Sequence, residues 1–243
     1  MKVTAFLILI SFFSASQSFA QDSISANWLF QFGYGYQIGF GDFNSRYGDH
    51  GKLGVTILKK MKTWEIGPSF KYYFGSQVKE DVLHGLRTPE GDLIGGDHQL
   101  AQVDLRLRGM LMGIRVNREF KVRNSPHAIV VGLKPAFLMH WIRFQNPGNT
   151  FEPINGEYRY GYDRYSSGVA LEESLAYRYQ STNRLINFEI ELTCTQANTV
   201  IRRNMQFDQP NLGDQKQKDG LIGLTLKWIL PIFKASNPDK IYY

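Results

Sequence analysis

The sequence predicts an all-β protein, a transmembrane antiparallel up-and-down β-barrel of eight strands. Three observations support this prediction: an aromatic alternation over residues 28–41, an export signal followed by no other long apolar run, and connections that alternate between short and long. Successive side chains of a strand point to opposite faces, so a strand between lipid and a barrel interior alternates apolar with small or polar residues. A soluble sandwich strand is rarely this long or this aromatic.

The first 20 residues have the features of a cleaved signal peptide. Lys2 gives a positive start, an apolar stretch of residues 5–15 follows, and Ser18 and Ala20 occupy the two positions that a signal peptidase reads. The remaining chain has no run of about 18 apolar residues, so no transmembrane helix is expected. We therefore expect a signal peptide at 1–20 and one barrel domain at 21–243. Its expected location is the cell outer membrane, with both termini periplasmic.

The first strand, 28–41, shows the clearest alternation in the chain. One face carries only large apolar or aromatic side chains, and the other carries glycine, glutamine and one leucine. The apolar face is Trp28, Phe30, Phe32, Tyr34, Tyr36, Ile38 and Phe40. Seven further segments repeat the two-residue period, near 52–58, 64–74, 100–117, 128–143, 167–180, 185–196 and 220–233.

Three irregularities interrupt these patterns. The apolar phase of 100–117 slips near Arg108 and Gly109, which predicts a β-bulge there because one extra residue shifts the faces of a strand. Pro68 and Pro135 cannot donate a hydrogen bond to a neighbouring strand, and a closed barrel has no free edge, so bulges are expected at both. Glu173 falls on the lipid face of its strand at mid depth. Either a second register slip turns it inward, or it contacts a partner protein.

The connections alternate in length. Those near 60–63, 118–127 and 181–184 are short, and those near 42–51, 75–99, 144–166 and 198–219 are mostly long. Outer-membrane barrels have short periplasmic turns and longer external loops. With a periplasmic N-terminus, every long connection falls on the outside, and this agreement supports eight strands.

The inward positions carry six cations and five anions, which is close to balance. An eight-stranded barrel is just wide enough for side chains to fill it, and buried charges must be paired. We therefore predict a salt-bridged plug, with a conducting pore or proton path as the alternative. The predicted interior network is Glu65, Lys71, Asp104, Arg106, Arg108, Lys134, Glu172, Arg178, Glu189, Glu191 and Lys227.

The most distinctive loop segment is 158–165, in which tyrosines alternate with charged residues and glycine. Such a segment stacks on sugars, forms a protein-binding rim, or continues a strand pair above the membrane. The residues considered for partner contact are Tyr158, Tyr160, Tyr162, Tyr165 and Glu173.

The sequence carries no motif for an enzyme, a metal or a cofactor. Some eight-stranded barrels deacylate or acylate lipid A, but the His-x-Ser pair of the deacylases is absent, since His140 is followed by Trp141 and Ile142. The lone Cys194 excludes an internal disulfide. We expect no enzymatic activity and no cofactor.

The mature chain resembles the small outer-membrane barrels of the OmpA/OmpX type in strand count and loop alternation. Five stretches also resemble an outer-membrane barrel family of Bacteroidota: 93–97, 161–164, 183–188, 219–223 and 228–232. That phylum builds multi-subunit outer-membrane machines for type IX secretion and barrel assembly, which recruit small accessory barrels. The resemblance thus implies a non-enzymatic accessory or scaffold subunit of such a complex.

Two alternative functions remain open, a surface adhesin or envelope-stabilising barrel, and a lipid A-modifying enzyme. The expected partners are outer-membrane lipid, lipopolysaccharide and other outer-membrane or periplasmic proteins. The formal charge of +6 does not indicate nucleic-acid binding, because the protein is expected to be an exported barrel. Basic residues gather at the predicted periplasmic ends, where they snorkel to phosphates or dock an acidic partner.

Overall fold

The computed structural model describes residues 28–122, 125–181, 187–210 and 215–232. Within these ranges, eight long strands close into an antiparallel barrel, and a two-stranded hairpin lies in one connection. The barrel strands are β1 (Trp28–Gly41), β2 (His50–Met61), β3 (Trp64–Gly75), β6 (Asp104–Lys121), β7 (His127–Gln145), β8 (Ser166–Gln180), β9 (Asn187–Ile201) and β10 (Lys216–Ile232). The hairpin strands are β4 (Leu93–Ile94) and β5 (Leu100–Ala101). The predicted signal peptide lies outside the described residues.

Each barrel strand pairs with its sequence neighbours, and β1 closes the ring against β10. The order around the ring is β1, β10, β9, β8, β7, β6, β3 and β2, so the predicted up-and-down topology is confirmed. The predicted strand positions agree with the structure to within four or five residues at each end. No helix in the described ranges is long and apolar enough to cross a membrane.

The barrel has an inverted distribution of polarity. Outward side chains of β1 such as Tyr34 and Ile38 are 60% and 53% exposed, while inward Gln31 and Gln37 are at most 1% exposed. The same contrast holds on the other strands, where large apolar side chains face outward around the whole circumference. Because such a surface is stable only against hydrocarbon, the wall is a membrane-spanning surface.

The two ends of the barrel differ. At one end, here called the turn end, the strands are joined by the short connections 62–63, 122–126 and 181–186. At the other, called the loop end, lie the connections 42–49, 76–103, 146–165 and 202–215. The predicted alternation of short and long connections is thus present.

The predicted bulges are wrong, because every strand pair keeps one register along its length. β6 stays in register with both neighbours through Arg108 and Gly109, which lie opposite Trp141 and His140 of β7. Pro68 lies opposite Ile114, and Pro135 lies opposite Leu171, again without a shift. Each proline instead interrupts the pairing with the other neighbouring strand, which is β2 for Pro68 and β6 for Pro135.

Glycines accommodate the chain beside these prolines. Pairing with β2 is interrupted at Gly67 and Pro68, and a Cβ atom on Gly67 would lie 1.9 Å from the carbonyl oxygen of Ile57. A Cβ atom on Gly113 would lie 2.2 Å from the carbonyl oxygen of Pro135. Both distances are far below van der Waals contact, so the two strand pairs approach closely only because glycine has no side chain.

A cap of loop residues closes the loop end. Helix α1 (Asp42–Arg46) follows β1 directly, and its Phe43 is fully buried with its ring 4.9 Å from that of Tyr47. The rest of the apolar cap cluster comes from the strand tops and the long loops. It contains Tyr73, Val82, Leu83, Leu93, Leu107, Leu111, Leu138, Ile142, Phe151, Ile154, Tyr162, Ala170, Ala197 and Leu221.

Candidate functional site

The turn-end half of the interior is organised around Arg178. Its Nη1 and Nη2 donate to Glu65 at 2.5 and 2.9 Å, and its Nε donates to Glu189 at 2.8 Å. A further hydrogen bond of 3.3 Å reaches Glu119, which also accepts from Lys60 at 2.6 Å. One guanidinium therefore joins carboxylates from three strands, the arrangement that its five planar donors favour.

The middle of the interior is organised around Glu172 and Glu191. Lys71 donates to both oxygens of Glu172 at 2.8 Å, and the Nζ atom of Lys134 lies 3.1 Å from Glu172. Glu191 forms ion pairs with Arg115 and Lys227. Lys227 also donates to Glu189 at 2.9 Å, which connects the middle cluster to Arg178. The two clusters form one continuous network across the barrel.

Eight of the eleven predicted network residues lie inside the barrel, each no more than 4% exposed. They are Glu65, Lys71, Lys134, Glu172, Arg178, Glu189, Glu191 and Lys227. The remaining width of the barrel is occupied by neutral polar side chains such as Thr193, Thr195 and Asn117, which are also buried.

The prediction that Asp104, Arg106 and Arg108 lie inside is wrong. These residues are on the outer face of β6, while Leu107 and Leu111 point inward into the cap cluster. Near the loop end the outer face of the wall rises above the apolar band, and the inner face is covered by loops. The polarity of the two faces therefore inverts along one strand with no change of register.

The alternation did not identify four further charged residues that belong to the interior network. Arg115 and Glu119 lie on the same face of β6 as Leu107, and Lys52 and Lys60 lie on the inward face of β2. Lys52 is 1% exposed, and its Nζ donates to Thr193 at 3.0 Å. The sequence did contain a signal for Arg115. Met110, Met112, Ile114 and Val116 form an outward apolar face, so Arg115 between the last two points into the interior.

Ion pairs also join the loops of the cap to one another. Glu80 accepts from Arg46 and from Arg164, each at 2.7 Å, and Arg164 forms a second ion pair with Asp208. Burial would lower the pKa of the Arg164 guanidinium, but the hydrogen bond to Asp208 and the charge of Glu80 raise it above its ordinary value. The cap arginine therefore stays charged and ties three loops together.

Two buried histidines support the cap from within. His140 Nε2 lies 3.1 Å from Asp219 Oδ2, and its ring packs edge-on against Tyr47. His50 packs against Phe43 and Tyr73. Both histidines are at most 2% exposed, so these rings act as packing and hydrogen-bonding groups beneath the loops. The described residues contain no group of three or more His, Cys, Asp or Glu residues that could hold a metal ion.

Glu173 lies on the outer wall, so the predicted register slip is wrong. The β8–β9 register is constant, with Glu173 opposite Cys194 and, on the other side, opposite Leu133. On the outward face of β8, Val169 and Leu171 lie above Glu173, and Leu175 and Tyr177 lie below it. The carboxylate is thus at the middle of the apolar band.

Polar residues continue from Glu173 toward the loop end along β9. Cys194, Gln196 and Asn198 follow one another on the outward face of that strand, and Gln196 and Asn198 are exposed. Glu173 forms no hydrogen bond or ion pair with any residue in the described ranges. We call these four residues, Glu173, Cys194, Gln196 and Asn198, the polar wall stripe.

The tyrosine-rich segment forms a 3₁₀ turn (Tyr158–Gly161) followed by irregular chain, so the alternative that it continues a strand pair is wrong. Tyr158 and Tyr160 are 68% and 41% exposed. Tyr162 is turned into the cap, where its ring packs 5.3 Å from Phe207, so it is not available to a partner. Tyr165 is partly buried beside Trp141, with a ring separation of 6.4 Å.

Comparison with known proteins gives similarity only at the level of solved structures. The chain matches no protein-family model. No curated protein matches it in sequence.

Three small outer-membrane barrels are among the similar solved structures. Neisserial surface protein A is 8% identical, with a TM-score of 0.45, and the match covers 84% of this chain and 97% of that one. Ail of Yersinia pestis, solved with the heparin analogue sucrose octasulfate, is 10% identical with a TM-score of 0.42, over 84% and 99% of the two chains. The N-terminal β-barrel domain of Pseudomonas aeruginosa OprF is 12% identical with a TM-score of 0.40, over 84% and 98%.

Proposed function

We propose that this protein is a non-enzymatic accessory or scaffold subunit of an outer-membrane protein assembly, and that its polar wall stripe contacts a neighbouring membrane protein. In this proposal the barrel lies in the outer membrane with its loop end outside and its termini in the periplasm. The resemblance to Bacteroidota barrels suggests a type IX secretion or barrel-assembly complex as the assembly.

The observation that carries the proposal is the position of Glu173. A carboxylate at the middle of a lipid-facing wall is destabilising, although less so than a lysine or arginine. Inside this barrel every glutamate of the network has a cationic partner, whereas Glu173 has none in the described residues. A partner wall that presents a cation or hydrogen-bond donor at mid depth would satisfy it.

The filled interior supports a role on the outside of the barrel. The network residues block the barrel at its turn end and middle, and the apolar cap closes the loop end. Solute passage would require breaking paired buried charges, which is energetically costly. The surfaces left for function are the wall and the exposed parts of the loops.

Site-specific crosslinking in native membranes tests this proposal. Cys194 is the only cysteine of the chain and lies directly opposite Glu173, so it accepts a maleimide–diazirine reagent at the stripe itself. The matched control is the double variant Cys194→Ala, Phe70→Cys. Phe70 lies in the middle of the outward face of β3, which is four strands from β9 in either direction around the ring.

We expect a crosslinked protein of defined mass from Cys194, its loss in the Glu173→Leu variant, and no such product from the control. Purification in mild detergent should then recover the same protein. Recovery of a solitary monomer, with lipid as the only crosslinked species, would contradict the proposal.

A surface adhesin is the second candidate, and it is favoured by the exposed Tyr158 and by Met205, which is 64% exposed. Loop deletion is a poor test, because the same loops supply Val82, Leu83, Phe151 and Ile154 to the buried cap. Replacement of Tyr158 and Met205 by serine removes exposed apolar surface without opening the cap. An adhesin would lose attachment in this variant, whereas an accessory subunit would keep its crosslinked partner.

A further inference from the structure

A cleft of about 810 Å³ lies on the outer side of the barrel at the loop end. Its floor is the top of the outward face of β6 and β7, and its roof comes from loops 146–165 and 202–210. On β7, Met139 is the last aliphatic outward residue, Trp141 follows, and Arg143 lies above it. On β6, the next outward-facing residue from Met110 toward the loop end is Arg108. The cleft thus begins where the apolar band ends.

The cleft has an excess of positive charge. It is lined by Arg108, Arg143, Arg159 and Arg203, with Asp163 as the lining acid. Asp163 is already paired with Arg203 at 2.6 Å, and this hydrogen bond raises the pKa of the Arg203 guanidinium. Arg108 and Arg143 form no ion pair within the described part of the chain. Four cations against one acid leave an excess of positive charge that favours an anionic ligand.

Aromatic rings hold the roof arginines in place. The guanidinium carbon of Arg203 lies 4.4 Å from the ring centroid of Tyr160 and 5.3 Å from that of Tyr165. Arg159 lies 5.0 Å from the Tyr160 ring. Arg203 donates its Nε and Nη2 to Asp163, and Arg159 donates its Nη2 to the Tyr160 hydroxyl. The remaining donors of each guanidinium lie in its own plane, where they match the oxygens of a phosphate.

The aromatic residues that line the cleft add a second recognition element. Trp141, Tyr165 and Tyr72 line the same cleft as the arginines. Aromatic faces at a membrane interface pack against amphipathic groups, and the apolar face of a sugar is one of these. The combination of arginine and aromatic residues favours a ligand that carries both a phosphate and a sugar ring.

We propose that this cleft binds the phosphorylated sugar headgroup of an outer-leaflet glycolipid of the lipid A class. Arg108 and Arg143 bind phosphate from the wall side, Arg159 and Arg203 cover it from the loops, and Trp141 packs on the sugar. The acyl chains run down the wall past Met110 and Met139. This inference relies on the proposed outward orientation of the loop end, but not on the accessory role or on the polar wall stripe.

Lipid retention by the refolded protein tests the cleft. The full chain is reconstituted in phosphatidylcholine nanodiscs that contain bis-phosphorylated lipid A, dephosphorylated lipid A or phosphatidylglycerol, and native mass spectrometry then counts the lipids that remain after extraction. The test variant is Arg108→Gln, Arg143→Gln. The matched control is Arg118→Gln, because Arg118 is an outward arginine of the same strand at the opposite interface, beside Trp64 and Phe120.

We expect bis-phosphorylated lipid A to be retained about tenfold more by the wild type and the Arg118→Gln control than by the double variant. Dephosphorylated lipid A should be retained as weakly by the wild type as the phosphorylated form is by the double variant. Equal retention by the double variant and the wild type would overturn the proposal. So would equal retention of phosphatidylglycerol, or complete displacement of lipid A by millimolar inorganic phosphate. A shift between folded and unfolded bands in unheated gels verifies that each variant is folded.

Discussion

Arg178 is the residue whose loss should most damage the interior. The Arg178→Met change keeps an apolar stem of similar length but removes a guanidinium that donates to Glu65, Glu189 and Glu119. Glu65 would keep only Lys60, whose Nζ lies 3.8 Å away, and a hydrogen bond of 3.2 Å from Asn117. Glu189 would keep Lys227 at 2.9 Å. The substitution thus leaves Glu65 as a buried carboxylate with inadequate compensation.

The expected loss of unfolding free energy is about 3–5 kcal/mol, the range found when one partner of a buried ion pair is removed. That corresponds to a decrease of roughly a hundredfold to a few thousandfold in the folding equilibrium constant. Reversible urea unfolding in phosphatidylcholine vesicles measures it, with tryptophan fluorescence as the signal. Trp28, Trp64 and Trp228 lie toward the turn end and Trp141 toward the loop end, so both halves of the barrel are observed.

Two further variants make the test specific. Arg202→Met removes an exposed loop arginine that donates to Ser167 at 3.0 Å, and it should change the unfolding free energy by less than about 0.5 kcal/mol. Adding Glu65→Gln to Arg178→Met removes the uncompensated charge and should recover part of the loss. If Arg178→Met alone is as stable as the wild type to within about 0.5 kcal/mol, the interior is not held together by this network.

Three other predictions follow from the wall and the cap. Gly67→Val should prevent folding, because its Cβ would lie 1.9 Å from the carbonyl oxygen of Ile57, whereas Gly85→Ala, with open space around it, should fold normally; the gel shift between folded and unfolded bands reports both. Glu173→Leu should stabilise the isolated barrel by about 1–2 kcal/mol in urea, since it removes a carboxylate from the lipid face, while abolishing the crosslink from Cys194. Phe43→Ala should destabilise the barrel by about 3–5 kcal/mol, because the ring is fully buried in the cap cluster; a loss below about 1 kcal/mol would mean that the cap is not packed as described.

The alternation of side chains was sufficient to predict the barrel, its strand number and most of its interior. One face of each strand meets hydrocarbon and the other meets a crowded polar interior. Strands such as β1 therefore alternate apolar with polar or small residues at every second position. Glu172, Glu189, Glu191 and Arg178 were assigned inward for this reason, and each is buried.

The wrong predictions concern positions whose surroundings are neither lipid nor the polar interior, or that depend on contacts between strands. Arg106 and Arg108 were assigned inward because their strand neighbours Leu105 and Leu107 are apolar, but these leucines face a cap built from loops distant in sequence. Local pattern alone contains no information on that cap. Likewise, the prolines suggested bulges because pairing was considered on both sides of the strand, whereas the structure keeps the register and places Gly67 and Gly113 at the close contacts.

The candidate sites depend even more on tertiary structure. Arg108, Arg143, Arg159 and Arg203 come from four separate places in the sequence, and only the fold brings them to one cleft. Glu173 was identified from the sequence as an anomaly, yet its isolation from every buried cation is a property of the closed barrel.

The most direct test of the central claim, that the barrel is filled and acts through its outer surface, is the conductance of the refolded protein in a planar lipid bilayer. Because paired charges fill the turn-end half and the middle of the barrel and an apolar cap covers its loop end, we predict no stable channel at moderate voltage. A porin measured in parallel is the positive control. The Arg178→Met variant should be less stable but should also show no channel conductance. A steady, reproducible open conductance from the wild-type protein would contradict the account.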